Sequence, residues 1–301
     1  MRTVRCRCYP AGPSDPQSKF PILHGFEFKR EIGHGGMGIV YLATHDGQDY
    51  AVKAIHSVPD DPDRNMLLDL RFCREASIAS QFNHPNIVHT LGFIASNPTN
   101  HFLVMEYLNG VSLETLLRAT RLDTPTALSV TLKLCDAIGA VHVAGIIHCD
   151  VKPANVIIVD GVPKLIDFGL AKIVNIPTSA NFGDLKYPAL SVPNGFFGTP
   201  IYSAPEQKHP SAHSLPKYDS RVDIYSLGVI LYKMLTGVVP FPCVDWRDLA
   251  PKYFSDPPHP CIHCSGIPKK LDDAIMSAIA RDPKQRFNSA AEMSAALSAC
   301  L

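Results

Sequence analysis

The sequence predicts an α+β fold in two parts: a smaller part built mainly from strands with one helix, and a larger part that is mainly helical. Two observations carry this prediction. Strand-like runs begin at Phe26 and recur as far as Tyr107, interrupted by one helical pattern. Beyond Gly110 the apolar residues recur at helical spacing instead. We therefore expect one part over about 24–108 and a second over about 109–301, after a flexible leader at 1–23 that shows no periodicity.

Composition excludes several classes of protein. The chain has 301 residues, enough for one large or two modest hydrophobic cores. Lys plus Arg equals Asp plus Glu at 28 each, so net charge favours neither nucleic acid nor an anionic membrane as a partner. Apolar runs such as 138–147 are too short and too interrupted to span a bilayer, and the charged N-terminus has no apolar core of a secretory signal. Nine irregularly spaced cysteines predict reduced thiols and a cytoplasmic location.

Two cysteine groups raise the question of a bound metal. Cys6 and Cys8 could chelate an ion as a pair, but no second pair lies nearby in the sequence, so incidental cysteines are favoured. The stretch His259–Cys264 offers four ligands that are too crowded for the usual two-pair spacing of a zinc site. A loop with incidental cysteines is the favoured interpretation there as well.

The central stretch of the chain is residues 148–155, His-Cys-Asp-Val-Lys-Pro-Ala-Asn, which precedes a short hairpin. The hairpin reads as strands over 156–159 and 162–166, joined by the two-residue turn Asp160-Gly161. Pro163 cannot donate to a sheet ladder, so the hairpin should be short or lie at an edge. In this register Asn155 lies opposite Ile166.

That register places Asn155 beside Asp167, the first residue of Asp167-Phe168-Gly169. One amide oxygen and one carboxylate suit Mg²⁺ better than zinc. Asp150 is a possible base and Lys152 a possible phosphate-binding lysine. Together with Asn155 and Asp167 they form the set of side chains that phosphoryl transfer requires. The alternative is a surface hairpin with incidental polar ends.

A glycine-rich stretch, Gly33-His34-Gly35-Gly36-Met37-Gly38, opens the strand-rich part. The same spacing occurs in a Rossmann turn, but that turn opens a helix. Here Ile39 to Ala43 continues as a strand to Asp46-Gly47, and Tyr50 to Ile55 returns. The glycines therefore form a hairpin tip whose backbone amides can lie over phosphates.

Lys53 is predicted to pair with Glu75. Alternation puts Lys53 on one strand face with apolar Ala51 and Ile55. Glu75 falls within the apolar stripe of a helix that starts near Asp61-Pro62, and burying a carboxylate costs on the order of several kcal/mol unless a cation meets it. The alternative is a solvated Glu75 at the edge of the stripe.

The second part is predicted to contain helices over Leu113–Ala119, Thr126–Val143, Val222–Leu235, 269–281 and 288–300. Val222–Leu235 is apolar almost all round, which predicts a buried central helix. Asp223 at its start must be hydrogen-bonded, and we expect it to anchor the loop around His148. About thirty-five residues after Gly169 lack any period, which indicates a functional segment or an error in the assignment.

With these residues assigned, the chain resembles the protein kinases, and especially the eukaryotic-like Ser/Thr kinases of bacteria, over about 24–299. The motifs occur in the family's order and spacing. They are the glycine-rich loop (Gly33, Gly35, Gly38, Val40), the lysine–glutamate pair (Lys53, Glu75), His148-Cys149-Asp150 in place of His-Arg-Asp, Lys152 with Asn155, Asp167-Phe168-Gly169, and Ala204-Pro205-Glu206.

The resemblance implies a bilobal protein-kinase fold with ATP and Mg²⁺ as cofactors. Asp150 would accept or steer the proton of a substrate hydroxyl, and Lys152 would stabilise the transferring phosphoryl group, while Asn155 and Asp167 hold Mg²⁺. The residues implied to bind ATP in the cleft are Ile32, Gly33, His34, Gly35, Gly36, Met37, Gly38, Val40, Ala51, Lys53, Glu106, Leu108 and Ile157.

The resemblance also implies structural roles and partners. Asp223 would brace the catalytic loop, Arg286 would pair with Glu206, and Lys152 together with Thr199 indicates the Ser/Thr branch. The resemblance therefore implies protein substrates. The segment Gly198–Glu206 disfavours a small-molecule kinase. The competing class is a pseudokinase that binds ATP as a scaffold, but such proteins usually lack one of the catalytic positions.

Cys149 departs from the family's His-Arg-Asp motif, and this departure has a consequence for regulation. Many family members have an arginine there that pairs with a phosphate on the activation loop. A cysteine cannot do this. The hypothesis is that activity does not depend on that phosphate, although Thr178, Ser179 and Ser191 remain possible sites of modification.

Overall fold

The computed structural model of the chain describes residues 20–35, 38–55, 62–97, 100–173, 200–208, 219–243, 252 and 254–301. The chain divides into two compact units. The first comprises Met1–Asn109 together with Asp167–Gly169, and the second comprises Gly110–Ile166 and Leu170–Leu301. The first unit is strand-rich and the second is mainly helical, which agrees with the predicted α+β fold.

The first unit contains an antiparallel sheet of five strands in the order β1-β2-β3-β5-β4. Its elements are β1 (Glu27–Gly35), β2 (Gly38–His45), β3 (Gln48–Ala54), helix α1 (Pro62–Ala79), β4 (Thr90–Asn97) and β5 (Asn100–Glu106). β2 and β3 turn at Asp46 and Gly47, which both have positive φ. The predicted strand-turn-strand is therefore confirmed.

Helix α1 packs its apolar stripe onto this sheet. Phe72 and Ala76 form a buried cluster with Ile55 and Leu103. Residues three apart lie on the same face of a helix, and Glu75 lies three residues beyond Phe72. This packing therefore turns Glu75 toward the sheet.

The second unit is built around a central helix. Its helices are α2 (Leu113–Ala119), α3 (Thr124–Val143), α4 (Arg221–Thr236), α5 (Pro260–His263), α6 (Lys269–Ala278) and α7 (Ala290–Ser298). Its strands are β6 (Val111–Ser112), β7 (Ile146–Ile147), β8 (Val156–Val159), β9 (Val162–Leu165) and β10 (Lys172–Ile173). Nearly every residue of α4 from Val222 to Leu235 is buried, which confirms the predicted central helix.

Helix ends differ from the prediction for local reasons. α3 starts at Thr124 rather than Thr126, because the Asp123 side chain accepts a hydrogen bond from the Thr126 amide and caps the first turn. α7 starts at Ala290 because Ser289 caps it in the same way. α6 ends at Ala278, ahead of Asp282-Pro283, where a proline disfavours helix at the residue before it.

The hairpin β8–β9 has the predicted register. Val159 pairs with Val162, and the Ile166 amide donates to the Asn155 carbonyl at 2.9 Å. Asp160 and Gly161 both have positive φ, as a two-residue hairpin turn of this kind requires. β9, which carries Pro163, is an edge strand of the sheet β6-β8-β9.

One helix in the described part of the chain, α3, is long and apolar enough to cross a membrane by length and composition. Half of its most apolar stretch is buried within the protein. Core helices of globular domains meet the same criteria, so α3 is only weak evidence for a membrane span.

Candidate active site

Lys53 on β3 contacts two carboxylates within the first unit. Its Nζ donates to Glu75 Oε1 at 2.6 Å and to Asp167 Oδ1 at 3.2 Å. Lys53 and Glu75 are both buried. The predicted pair therefore forms, and the alternative of a solvated Glu75 is wrong.

Burial and charge oppose each other in this cluster. Burial acts to lower the pKa of Lys53, but Glu75 and Asp167 outweigh it and raise that pKa above its ordinary value. Burial acts to raise the pKa of Asp167, but Lys53 and the Gly169 amide hold it at about 2. For Glu75 burial prevails over Lys53 and raises the pKa to about 7. Lys53 therefore keeps its charge, because Asp167 is a second anionic partner beside Glu75.

The Asp167-Phe168-Gly169 motif is fixed by local contacts in the same unit. Asp167 has a φ of 67°, and its Oδ1 also accepts from the Gly169 amide at 3.1 Å. Phe168 is buried and stacks on Phe82 of the first unit, with ring centroids 5.4 Å apart. The motif thus belongs to the first unit although the chain on both sides of it belongs to the second.

The glycine-rich stretch forms the end of the β1–β2 hairpin, as predicted. Gly33 pairs with Val40 and Gly35 with Gly38. A Cβ on Gly38 would lie 2.1 Å from the Ala54 carbonyl oxygen, so only glycine fits there. Ile32 is the extra residue of a β-bulge, and His34 Nδ1 lies 3.4 Å from Glu31 Oε1. Gly36 and Met37 lie outside the described residues.

The other residues named for ATP binding lie on three further segments. Ala51 is buried on β3. Glu106 ends β5, where its Oε1 accepts from the His89 amide at 2.8 Å, and Leu108 follows that strand. Ile157 lies on β8 of the second unit.

Three polar side chains converge in the second unit at the loop before β8. Asp150 Oδ2 accepts from Lys152 Nζ at 2.7 Å and from Asn155 Nδ2 at 3.1 Å. Asn155 Nδ2 also donates to the Asp150 carbonyl at 2.9 Å. A short 3₁₀ turn, Pro153–Asn155, brings Asn155 back to Asp150. Because the Asn155 nitrogen is used in this way, its amide oxygen is the atom available to a cation.

Asp223 at the start of α4 anchors this loop, as the sequence predicts. The fully buried carboxylate accepts from the His148 and Cys149 amides, each at 2.9 Å. His142 Nε2 of α3 lies 2.8 Å from Asp223 Oδ2. Helical spacing places His142 on the predicted face of α3, but no pattern in the sequence links it to Asp223. Cys149 has a φ of 67°, a left-handed conformation that is uncommon outside glycine.

A second set of contacts ties the segment 200–208 to the same unit. Arg286 donates to both oxygens of Glu206 at 2.6 and 2.9 Å, so the pair named from the family forms with bidentate geometry. Gln207, which the sequence analysis missed, accepts from the Ala204 amide at 2.7 Å and donates to the Cys149 carbonyl at 2.9 Å. Thr199 lies outside the described residues.

Each unit carries side chains of the kind that bind a nucleoside triphosphate and its divalent cation: Lys53 and Asp167 in the first, and Lys152 and Asn155 in the second. Asp167 and Asn155 supply hard oxygen atoms, which Mg²⁺ prefers. Lys53 and Lys152 supply two cations of the kind that bind phosphate groups. No thiol or imidazole belongs to this set, which disfavours a zinc centre.

The fold and these contacts are those of a protein kinase, and the chain belongs to that family: the family profile described as "Protein kinase domain" matches residues 26–296. The α+β bilobal fold implied by the resemblance is thereby confirmed, and the residues 24–299 given for the resemblance agree closely with the matched range.

Similar curated proteins come from several bacteria. The chain is 35% identical over 280 residues to the serine/threonine-protein kinase PknB of Mycobacterium tuberculosis, which covers 90% of this chain and 42% of PknB. It is 33% identical over 310 residues to the serine/threonine-protein kinase Pkn1 of Myxococcus xanthus, covering 99% of this chain and 41% of Pkn1. A probable serine/threonine-protein kinase of Clostridium perfringens is 33% identical over 271 residues, covering 89% and 37%. The chain thus spans about two fifths of the length of these curated relatives.

Proposed function

We propose that this protein is a serine/threonine protein kinase that transfers the γ-phosphate of ATP to hydroxyl groups of protein substrates. The observation that carries the proposal is the complete set of catalytic side chains. Lys53 is held by Glu75 and Asp167, and Asp150 is held by Lys152 and Asn155. The names of the bacterial relatives support the Ser/Thr class.

Asp150 is the proposed acceptor for the proton of the substrate hydroxyl. Lys152 and Asn155 both donate to its Oδ2, which orients the carboxylate. Lys152 also carries the positive charge needed beside the transferring phosphoryl group. Catalysis of this kind depends mainly on position and charge, so the fixed geometry of these three side chains is its main requirement.

ATP and Mg²⁺ are the proposed cofactors. Lys53 orients the α and β phosphates, Asp167 and Asn155 are the proposed Mg²⁺ ligands, and Asp167 is suited to this role because its low pKa keeps it ionised at neutral pH. The bound ion would neutralise charge on the phosphates. Val40, Ala51 and Ile157 would contact adenine, beside the segment Glu106–Leu108, and the glycine-rich loop would cover the phosphates.

Partners, location and domain limits form the rest of the proposal. We assign the kinase domain to 24–301 after a leader at 1–23, although Phe20 and Leu23 at the end of that range pack into the core of the first unit. The proposed partners are protein substrates and not nucleic acid. A reducing, cytoplasmic environment agrees with the described cysteines, which are free thiols: Cys73, Cys135, Cys149, Cys243, Cys261, Cys264 and Cys300.

Transfer of labelled γ-phosphate to a generic Ser/Thr protein substrate tests the proposal. Wild-type protein should label the substrate. The variants Asp150→Asn and Lys53→Met should not, although both keep the surfaces that bind the protein substrate. If wild type labels no more than these two variants, the enzyme assignment fails and an ATP-binding scaffold becomes the better description.

A further inference from the structure

A cluster of three metal-binding side chains lies outside the residues proposed for phosphoryl transfer. His259 and Cys261 belong to the segment around α5, and Asp272 belongs to the first turn of α6. Their ligand atoms, one nitrogen, one sulfur and one carboxylate oxygen, all lie within 4.8 Å of one another. Within the described residues it is the one group of three or more His, Cys, Asp or Glu side chains that meets this spacing.

Asp272 holds the cluster together. Its carboxylate is buried, its Oδ1 accepts from the Cys261 amide at 2.9 Å, and its Oδ2 lies 2.5 Å from His259 Nδ1. His259 and Cys261 are exposed, so an ion from solution can reach them. One ligand is therefore fixed by burial in α6, and it positions the other two, which lie at the start of the short helix α5.

We propose that His259, Cys261 and Asp272 form a zinc site, with His259 Nδ1, Cys261 Sγ and one Asp272 oxygen as protein ligands and a fourth position open to water or another small ligand. Imidazole, thiolate and carboxylate are the three ligand types that zinc accepts in proteins. With bonds of about 2.0–2.3 Å, tetrahedral ligands lie roughly 3.3–3.8 Å apart, so the observed spacing needs shifts of about 1 Å or less.

The structure changes the interpretation of the crowded stretch His259–Cys264. The third ligand comes from Asp272, eleven residues beyond Cys261. The crowding of possible ligands within 259–264 is therefore no longer an argument against a zinc site. The other two candidates have different contacts. His263 packs against the Tyr232 ring with centroids 6.2 Å apart, and Cys264 Sγ accepts from Arg121 Nη1 at 3.6 Å.

A neighbouring buried hydroxyl is a second indication of a ligand. The Tyr232 side chain is fully buried, and its hydroxyl has no hydrogen-bond partner among the described residues. The Tyr232 ring contacts His263, which lies four residues beyond His259 in the segment around α5. A buried polar group without a partner in the protein commonly contacts a bound ion or an ordered water.

Cobalt binding tests the site directly, because tetrahedral Co²⁺ with a thiolate ligand gives visible bands and a sulfur-to-metal charge-transfer band. The full chain is stripped with a chelator, desalted and titrated with Co²⁺ in the absence of ATP. We expect one equivalent to bind with the thiolate band, and Zn²⁺ to displace it. Cys261→Ser should remove the band, and His259→Gln should weaken binding about tenfold or more.

Matched controls separate this site from other thiols and from catalysis. Cys264→Ser, in the same loop, and the double variant Cys6→Ser/Cys8→Ser should both keep the band. Asp150→Asn should also keep it, because it affects only the proposed phosphoryl transfer, so either proposal can fail without the other. Zn²⁺ should raise the Tm of wild type but not of Cys261→Ser, whose Tm without metal should match that of wild type.

The proposal is overturned if wild type shows no thiolate band, or if the band survives Cys261→Ser. It is equally overturned if Cys6→Ser/Cys8→Ser removes the band, because the ion would then lie in the leader.

Discussion

The two carboxylates that hold Lys53 differ in their exposure. The Glu75 side chain is 2% exposed, whereas that of Asp167 is 40% exposed. Glu75 is therefore closed to other partners, while Asp167 can contact Lys53 and still offer an oxygen to a ligand. This difference supports the proposed roles, with Glu75 positioning Lys53 and Asp167 binding the Mg²⁺ ion.

Removing the lysine charge should change the titration of Asp167. In Lys53→Met we expect the pKa of Asp167 to rise from about 2 toward or above its ordinary value of about 4. A lowered pKa means that the ionised form stabilises the fold. That contribution is complete above about pH 4 and is lost as the pH falls through about 2 in wild type.

Carbon NMR of the Asp167 carboxyl group measures this shift. Lys29→Met is the matched control, because Lys29 forms an exposed pair with Asp49 at 2.8 Å and should leave Asp167 unchanged. Phosphoryl transfer should fall about 100-fold or more in Lys53→Met alone. An identical Asp167 titration in wild type and Lys53→Met would contradict the ion pair as the cause of the low pKa.

Cys149 occupies the position that pairs with a loop phosphate in many kinases. Its thiol is buried and donates to the Ile147 carbonyl at 3.5 Å, and it cannot replace an arginine charge. We expect activity after phosphatase treatment to match that of untreated enzyme within experimental error. The candidate phosphosites Thr178, Ser179 and Ser191 lie outside the described residues. A collapse of activity on dephosphorylation would count against the hypothesis.

At the level of elements, replacement of glycine by alanine is expected to have opposite effects on stability at two helical positions. A Cβ on Gly228 of α4 would lie 2.7 Å from Ala278 Cβ and from Ile279 Cγ2, so α4 and the end of α6 approach too closely for alanine. A Cβ on Gly139 of α3 would lie 3.9 Å from Ala290, an ordinary contact.

Gly228→Ala should therefore lower the free energy of unfolding by about 1–3 kcal/mol through overpacking. Gly139→Ala should raise it by about 0.5–1 kcal/mol, because alanine favours helix. Urea denaturation of both variants beside wild type measures the two values. An increase in both variants would show that helix propensity, and not close packing, governs the outcome at Gly228, and a decrease in both would contradict the prediction for Gly139.

Lys252 fixes the segment that enters the Ala204-Pro205-Glu206 motif. This buried lysine donates to the Pro200 carbonyl at 2.7 Å and the Ile201 carbonyl at 3.1 Å. Lys252→Met keeps the length of the side chain but leaves two carbonyls without their donor, at about 1–3 kcal/mol each. The resemblance to protein kinases implies that the segment Gly198–Glu206 contacts the protein substrate, so we expect KM for a protein substrate to rise while KM for ATP stays constant. Steady-state kinetics measures both, and Lys252→Arg should recover part of the loss.

Local elements could be predicted from the sequence, whereas long-range side-chain pairs mostly could not. The hairpin β8–β9 has its predicted register because period-two alternation and the Asp160-Gly161 turn are local signals. Gln207, His142 and Lys252 meet partners 50 or more residues away that no local pattern identifies. Lys53–Glu75 was an exception, since a carboxylate in an apolar stripe requires a cation. The same reasoning could not find Asp272, because its partners His259 and Cys261 lie in another element, at the start of the short helix α5.

At the level of the whole molecule, the two units are not continuous in sequence. Asp167–Gly169 belongs to the first unit, although Ile166 and Leu170 on either side belong to the second. Lys53 and Phe82 hold this short piece through an ion pair and a ring stack. The first unit therefore obtains part of its core from chain that is synthesised after most of it.

Asp223 has a consequence for the exchange of amide hydrogens. The amides of His148 and Cys149 are buried and donate to its carboxylate, so they can exchange with deuterium only when the N-terminal end of α4 separates from the loop. We expect these two amides to exchange as slowly as the backbone of α4, and to accelerate in Asp223→Ala while the amides of α7 keep their rates. Mass spectrometry of deuterium uptake resolves these segments, and fast exchange at 148–149 in wild type would disprove the coupling. The proposed proton acceptor Asp150 would then stay in position until the N-terminal end of α4 separates from the loop.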